Sequence, residues 1–250
     1  MNRDDLPDRF EDLSVSEQER VRLAGKQMGH LAFAHSAGIV IAPPPGSGNG
    51  RVNNGTGFVK LSGSYYLGTA LHVVDSWINR TRDGERLLLQ VGGADLPPGN
   101  RLAWKDEVAD IAFIKIDAID AERIGVLPYE PVLGWPPPMP TVGDFILLAG
   151  YPGSQREHPD SESIDLGCFS GLVSVISVHK HHLICQFQRQ HWISHDVGEL
   201  PPLRADLRVS GGPAMLVRNL AYPLVGVVVE HNSEFELMRI SLFAHLPGMF

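Results

Sequence analysis

Short apolar runs recur along this chain from Gly38 to Ser241, and their spacing restricts the fold more than any other feature of the sequence. Each run is short and rich in Val, Ile, Leu or aromatic residues, which is the pattern of a β-strand. Clusters of Gly, Asn and Pro separate the runs, and the segment 43–55 is predicted to be a long solvated loop. Strands this numerous and short favour barrels or sandwiches over βαβ units. The runs are GIVIA, GFVKL, YYLGTA, RLLLQV and IAFIKI, followed by DFILLAG, LVSVISV, HLICQF, PAMLV, LVGVVV and FELMRIS.

One segment before these runs has a helical pattern. Ser14 and Glu17 have the spacing of a capping box, in which each side chain bonds the backbone of the other residue. The sequence therefore predicts a helix over 14–34, and it predicts no other long helix. The apolar residues that recur on one face of this helix are Val21, Ala24, Met28 and Leu31.

A proline-rich segment divides the predicted strands into two series. Six prolines fall between Pro128 and Pro140, and such a segment suits neither a helix nor a central strand. We interpret it as a linker between two β-rich units. The predicted organisation is an N-terminal helical extension over 1–35, a first unit over 36–133 and a second unit over 134–250.

Composition and charge exclude several classes of function. The chain has 250 residues, of which 43% are hydrophobic and 20% charged, as in ordinary globular proteins. Its formal net charge of −8 disfavours nucleic acid and acidic membranes as partners. The polar N-terminus and the absence of an apolar run of about 20 residues predict neither a signal peptide nor a membrane span. Cys168 and Cys185 lack metal-ligand spacing, so we expect reduced thiols and a cytoplasmic location.

Three polar residues stand where predicted strands meet loops. His72 follows the YYLGTA run, Asp110 precedes the IAFIKI run, and Ser210 precedes Gly-Gly-Pro in the second series. A serine hydroxyl becomes a nucleophile when a histidine takes its proton and a carboxylate orients that histidine. Each residue also has a structural interpretation as a turn, cap or strand-end residue. Their joint occurrence favours a catalytic triad in a cleft between the two units.

These residues lie in motifs that resemble those of a known family. Thr-Ala-Leu-His at 69–72 and Ser-Gly-Gly-Pro at 210–213 resemble the histidine and nucleophile motifs of chymotrypsin-like (trypsin-fold) serine proteases. Asp-Ile-Ala at 110–112 matches the motif of the family's carboxylate, and the chain order His, Asp, Ser is the family's order. Two further motifs, Gly-Thr-Gly-Phe at 55–58 and Val-Gly-Asp at 142–144 leading to Gly-Tyr-Pro at 150–152, are similar to the bacterial HtrA-like branch.

The resemblance implies a fold and a mechanism. It implies an all-β protein with two antiparallel β-barrels, the chymotrypsin-like double barrel, preceded here by the N-terminal helix. Ser210 would attack a peptide carbonyl, His72 would transfer the proton, and Asp110 would orient the imidazole. The backbone N–H groups of Arg208 and Ser210 would form the oxyanion hole. The resemblance implies neither a metal nor an organic cofactor, and the partner would be a peptide or protein substrate.

The sequence departs from the family pattern at several positions. Arg208 replaces a glycine that lets the oxyanion-hole peptide turn inward, which suggests that the loop needs an activating partner or an oligomer. Val209 replaces the aspartate that pairs with a newly cut N-terminus, so activation by clipping is not expected. Arg204 stands where trypsins carry an acidic residue, which disfavours cleavage after Lys or Arg. The chain stops at Phe250, so no peptide-binding PDZ module is expected. By resemblance, Val228, Val229 and His231 would line the pocket for the substrate side chain.

Two alternatives to a protease stay open. The same double barrel could be an inactive binding module, and the loop at Arg208 is the feature that separates the two. An esterase is disfavoured because no Gly-x-Ser-x-Gly motif occurs. The histidines raise the possibility of a metal site, but neighbouring strand residues point to opposite faces and no cysteine or paired carboxylate completes a ligand set. We therefore expect a solvated hairpin at these histidines, which are His179, His181, His182, His191 and His195.

Overall fold

The structure is a computed structural model that consists mainly of antiparallel β-strands. Among the residues that the structure describes, two β-sheets carry most of the strands, and three α-helices lie around them. The structure describes residues 14–47, 50–131, 135–153, 156–157, 164–195, 209–218, 222–232 and 234–246.

The first unit is a curled sheet of seven strands in the order β5-β4-β1-β2-β3-β7-β6. All its pairs are antiparallel, and β2 and β3 form a hairpin in which Gly57 lies opposite Thr69. Its strands are β1 (Ser36–Ala42), β2 (Asn53–Ser62), β3 (Ser64–Ala70), β4 (Leu88–Val91), β5 (Ala94–Asp95), β6 (Leu102–Asp106) and β7 (Ile111–Ile116).

The second unit is a closed barrel of six strands in the order β11-β12-β15-β14-β13-β8. A two-stranded ribbon, β9 (Arg156–Glu157) with β10 (Asp165–Leu166), stands apart from the barrel strands. The barrel strands are β8 (Phe145–Gly150), β11 (Phe169–Val178), β12 (His182–Ser194), β13 (Pro213–Val217), β14 (Leu224–Asn232) and β15 (Leu237–Leu242). The expected all-β architecture of two antiparallel units is therefore confirmed, although the barrel of the second unit is closed and the sheet of the first unit is curled.

Three helices complete the described chain. The helix α1 (Val15–Ala34) confirms the helix predicted over 14–34, and it packs on β8 and β11 of the barrel. The prediction of a single long helix is wrong, because α2 (Leu71–Arg82) has twelve residues and follows β3 directly. A shorter helix, α3 (Ala118–Ile124), begins at a capping box formed by Asp117 and Asp120 and ends at Gly125.

Strand β8 separates two hydrophobic cores. Because successive strand residues point to opposite faces, Ile146 and Leu148 pack inside the barrel, whereas Leu147 and Ala149 pack in the core of the first unit. The outer face of the barrel is therefore one wall of the first unit's core. The apolar surface between the two units is continuous rather than solvated.

The proline-rich segment packs against both units. Tyr129 donates its backbone N–H to Val59 O at 2.7 Å, and its hydroxyl accepts the N–H of Leu224 at 2.8 Å. The Trp135 ring lies 5.5 Å from the Phe243 ring. The described part of the segment contacts β2 and β14 through Tyr129, and the boundaries 1–35, 36–133 and 134–250 stay predictions.

The predicted boundary of one loop differs from the structure. The predicted loop 43–55 ends earlier, because β2 begins at Asn53 and pairs Asn53 with Ile41.

Among the helices that the structure describes, none combines the length and apolar character that a bilayer span requires.

Candidate active site

The sequence suggested that His72 ends a strand. In the structure, His72 is instead the second residue of α2. Helix α2 forms because Leu71 and Val74 place one apolar face against the first unit's core. The side chain of His72 points away from this face and is 48% exposed. The abrupt change from β3 to α2 therefore places an imidazole at the surface beside the end of the strand.

Asp110 holds His72 through both carboxylate oxygens. Its Oδ2 lies 2.7 Å from Nδ1 of the imidazole, and its Oδ1 accepts the backbone N–H of His72 at 2.9 Å. When Nδ1 carries the proton and donates it to Asp110, the other ring nitrogen, Nε2, is left as a hydrogen-bond acceptor. This two-point contact fixes the position of the backbone and the direction of the ring.

Asp110 also caps the N-terminus of α2, which the helix's own N-cap residue cannot do. The N-cap residue of α2 is Ala70, which has no side-chain acceptor, and the first N–H groups of a helix need one. The Asp110 carboxylate supplies this acceptor from another part of the chain, and its charge is favourable at the positive end of the helix. Asp110 itself has φ 55°, a left-handed conformation that Asp and Asn tolerate better than most residues.

Ser210 occupies the second position of a tight turn. Gly212 donates its N–H to Val209 O at 2.9 Å, which closes the turn over Ser210 and Gly211. Gly211 has φ +90°, as the third residue of a type II turn requires. A Cβ atom at this position would also collide with the carbonyl oxygen of Thr56. Glycine at 211 is therefore required both by the backbone conformation and by the available space.

Thr56 connects the turn to the first unit. Its N–H donates to Ser210 O at 2.8 Å, and its carbonyl accepts the Thr69 hydroxyl at 2.6 Å. Its hydroxyl accepts the N–H of Tyr151 at 2.9 Å. Thr56 is fully buried, so these bonds form in a region of low dielectric constant, where they are strong. One threonine thus fixes the relative positions of the Ser210 turn, β3 and the loop after β8.

The structure brings His72 and Asp110 into contact and places Ser210 nearby. Gly55 connects the two regions, because a Cβ there would be 2.8 Å from the methyl groups of Val73, the residue after His72, and 3.4 Å from Ser210 O. Within the described part of the chain, the imidazole of His72 bonds Asp110, and no hydrogen bond joins it to the Ser210 hydroxyl. Ser210 is 7% exposed.

The remaining predicted site residues fall in three different environments. The Val228 side chain lies in the barrel core and that of Val229 in the core of the first unit, and their role as pocket-lining residues stays a prediction. His231 is half-buried, and its ring contacts the Phe187 ring edge-on at 5.6 Å. Arg204 and Arg208 lie outside the described residues. The predicted oxyanion-hole donor at Arg208 therefore stays a prediction.

The histidine-rich hairpin shows ring stacking. The rings of His179 and His182 stack at 4.5 Å, and those of His181 and His245 meet at 5.4 Å. Burial, together with the neighbouring positive groups His179, Arg239 and His181, lowers the pKa of His182. Within the described residues, no three His, Cys, Asp or Glu side chains are grouped so that they could hold a metal ion.

Sequence reasoning missed the roles of two residues at this site. Thr56 and Thr69 are both completely buried and bonded to each other. Both stand inside the quoted motifs, and a polar residue between the apolar or glycine residues of a buried strand was a signal that its hydroxyl has a specific partner.

The comparisons with known proteins show limited likeness. The sequence matches no protein-family model and no curated protein. Solved structures that are similar in fold include an inactivated protease paralogue of the scabies mite, with 16% identity, a TM-score of 0.47, and coverage of 85% of this chain and 90% of that one. A thermostable serine protease from an extremophilic microorganism has 12% identity, a TM-score of 0.44, and coverage of 85% and 93%. Tobacco etch virus protease complexed with product has 11% identity, a TM-score of 0.46, and coverage of 87% and 75%. Likeness at this level does not assign an activity to this chain.

Proposed function

We propose that this chain is a serine endopeptidase of the trypsin-fold class that uses His72, Asp110 and Ser210. Nε2 of His72 takes the proton of the Ser210 hydroxyl as Oγ attacks the peptide carbonyl. The imidazolium then protonates the leaving amine, and water hydrolyses the acyl-enzyme by the reverse sequence of proton transfers. The N–H groups of Ser210 and Arg208 would stabilise the oxyanion.

This proposal rests on the two hydrogen bonds between Asp110 and His72. A carboxylate that only capped a helix would need one oxygen, but Asp110 uses its second oxygen on Nδ1 at 2.7 Å. This bond selects the tautomer in which Nε2 is the base, and the bond also stabilises the imidazolium that forms during the reaction. The exposure of the His72 ring allows a substrate to reach it.

A strand edge beside Ser210 supports binding of an extended peptide. The turn is joined to β14 by the bond from Gly211 N–H to Val228 O, at 2.8 Å. Strand β13 pairs with β14 only up to Val227, and the segment Glu230–Asn232 pairs with β15 on its other side. A peptide strand can add to such an edge through main-chain hydrogen bonds. His231 would then contact the side chain of the residue that is acylated.

Three finer statements belong to the same proposal. The Gly-Thr-Gly-Phe and Gly-Tyr-Pro motifs favour the HtrA-like branch, and Thr56 and Tyr151 of these motifs are bonded to each other. Cys168 and Cys185 are buried and form no disulfide within the described residues, which is compatible with a reducing cytoplasm. Arg208 in place of glycine suggests activation by a protein partner or an oligomer.

A second candidate function is an inactive trypsin-fold binding module. The low exposure of Ser210, at 7%, favours it because a nucleophile must be open to the carbonyl that it attacks. The same edge of β14 would then hold a peptide without cleaving it.

Reaction with a fluorophosphonate probe separates the two candidates. We expect labelling of the purified chain at Ser210, identified by peptide mass spectrometry, and loss of labelling in Ser210→Ala and His72→Ala. Ser62→Ala, at the β2–β3 hairpin, removes a hydroxyl away from the site and should label like the unaltered chain. If the folded chain is not labelled, with or without added substrate protein, the proposal of a protease that acts without a further partner is wrong and the binding module is favoured.

A further inference from the structure

A second open strand edge leads away from Ser210 along β2. Strand β1 pairs with β2 from Asn53 to Phe58, but β3 pairs with β2 only from Gly57 onward. The segment Asn53–Thr56 therefore has a neighbour on one side only among the described strands. The end of this segment nearest Ser210 already has a hydrogen-bond partner, because the N–H of Thr56 donates to Ser210 O at 2.8 Å. A peptide that leaves the Ser210 turn in this direction would follow this edge.

Side chains on one face of this segment form a track from Ser210 to Arg51. Residues 53 and 55 share a face because side chains alternate along a strand, and Arg51 precedes the strand and is linked to this face by its bond to Asn53. Gly55 lies against Ser210 O, and Asn53 donates its side-chain N–H to Ser76 Oγ at 2.6 Å, one turn after His72 on α2. Arg51 donates Nε to Asn53 Oδ1 at 3.1 Å. The guanidinium of Arg51 therefore lies at the outer end of the track and is held back toward Asn53.

The position of Arg51 is fixed by a second arginine. Arg80 donates Nη2 to the carbonyl of Arg51 at 2.9 Å and is itself held by Glu85 through Nε at 2.9 Å. Arg51 is exposed, and its described side-chain hydrogen bond uses Nε rather than the two terminal nitrogens. A preorganised, forked guanidinium suits a carboxylate, which can accept two parallel hydrogen bonds.

The charge around Arg51 is opposite to that of the whole chain. Arg51 and Arg80 lie beside Glu85, which is paired with Arg80, so this group of three carries one net positive charge, whereas the chain carries a net charge of −8. A locally positive strand end on an acidic protein attracts acidic segments and repels basic ones.

We propose that Arg51 selects substrates with Asp or Glu on the leaving-group side of the scissile bond. This inference rests on the proposed function, in which β14 holds the acyl side and β2 holds the other side. Asn53 stands three residues from Thr56, which corresponds to about 10 Å at roughly 3.3 Å per strand residue. An extended peptide advances by the same rise, so the acidic residue falls at the second to fourth position after the cleaved bond.

The test compares fluorogenic peptides that differ at these positions. We expect kcat/KM for Glu to exceed that for Lys by about fivefold, mainly through KM, as one exposed ion pair supplies. Arg51→Ala should abolish the preference and Arg51→Glu should reverse it, whereas high salt should weaken it in the unaltered chain. Arg123→Ala removes the same charge from exposed α3 and should leave the preference unchanged. An unchanged preference in Arg51→Glu overturns the inference.

A binding measurement keeps this test independent of catalysis. The same peptides, carrying a fluorophore, are titrated into Ser210→Ala and Ser210→Ala/Arg51→Glu, and fluorescence polarisation reports their affinity. If the chain neither labels nor cleaves, the protease proposal fails, but an acidic preference that Arg51→Glu reverses still supports the role of Arg51. If peptides are cleaved and neither kinetics nor polarisation depends on residue 51, the role of Arg51 is wrong and the protease proposal stands.

Discussion

The double role of Asp110 gives a quantitative prediction about two substitutions at one position. Asp110→Asn keeps an oxygen that can accept the N–H of His72, and asparagine tolerates the left-handed conformation at φ 55°. Asp110→Ala keeps neither property. The two variants therefore separate the structural role of Asp110 from its action on the imidazole.

The expected loss of stability follows from these contacts. Losing a helix cap costs about 1 kcal/mol, and placing alanine at a positive φ costs about 1 kcal/mol more. Asp110→Ala should therefore lower the free energy of unfolding by about 2 kcal/mol. Asp110→Asn loses mainly the charge at the start of α2, and it should lose about 0.5 kcal/mol. Both variants should lose about 10⁴-fold in kcat if the triad is catalytic, because the imidazole is no longer held as the required tautomer.

Equilibrium unfolding in urea and peptidase kinetics on the same preparations check both parts. Asp117→Ala is a matched control, because Asp117 caps α3 at φ −94° and its loss should cost the capping term alone. Equal destabilisation by Asn and Ala at position 110 would refute the capping role. Full activity of Asp110→Asn would refute the proposed role of the carboxylate in orienting His72.

Two further substitutions test the packing around the site. Gly211→Ala should lose fluorophosphonate labelling and melt well below Gly143→Ala, because both glycines have φ near +90° but only Gly211 has a backbone oxygen in the way. Equal melting temperatures for the two variants would contradict this. Burial lowers the pKa of Lys60 from 10.5 to about 8, so the unfolded chain binds more protons than the native one between these values, and stability should rise with pH over this range. Lys60→Met should remove this rise in urea titrations from pH 7 to 10.5, and Lys105→Met, at an exposed lysine, should keep it.

The strands were predictable because their signal is local. Runs such as GIVIA and LVGVVV are rich in β-branched residues, and both lie within strands of the structure. Helix α2 was missed because Val73 and Val74 follow a strand pattern without any break, and its N-cap is alanine. Its cap comes from Asp110, thirty-eight residues later, which no local pattern reveals. Helix α3 was visible in principle, since Asp117 and Asp120 have cap spacing and Gly125 ends the helix.

The site was predictable only in part. Resemblance to a family selected His72, Asp110 and Ser210, and the structure places the first two in contact. Neither motif nor spacing indicated that Asp110 also caps α2, since a cap of this kind depends on tertiary structure. The pocket prediction for Val228 and Val229 used position along the chain and stays a prediction, and the structure buries the two side chains in different cores.

Strand β8 has a consequence for how the molecule comes apart. Leu147 and Ala149 complete the core of the first unit, whereas Ile146 and Leu148 complete that of the barrel. Unfolding of either unit therefore exposes apolar surface of the other unit to water. A fragment that ends in the proline-rich segment would expose one side of its interior to water and would tend to aggregate. Cutting the chain there would thus yield two interdependent pieces that regain structure when mixed, and heating the intact chain would give one cooperative transition.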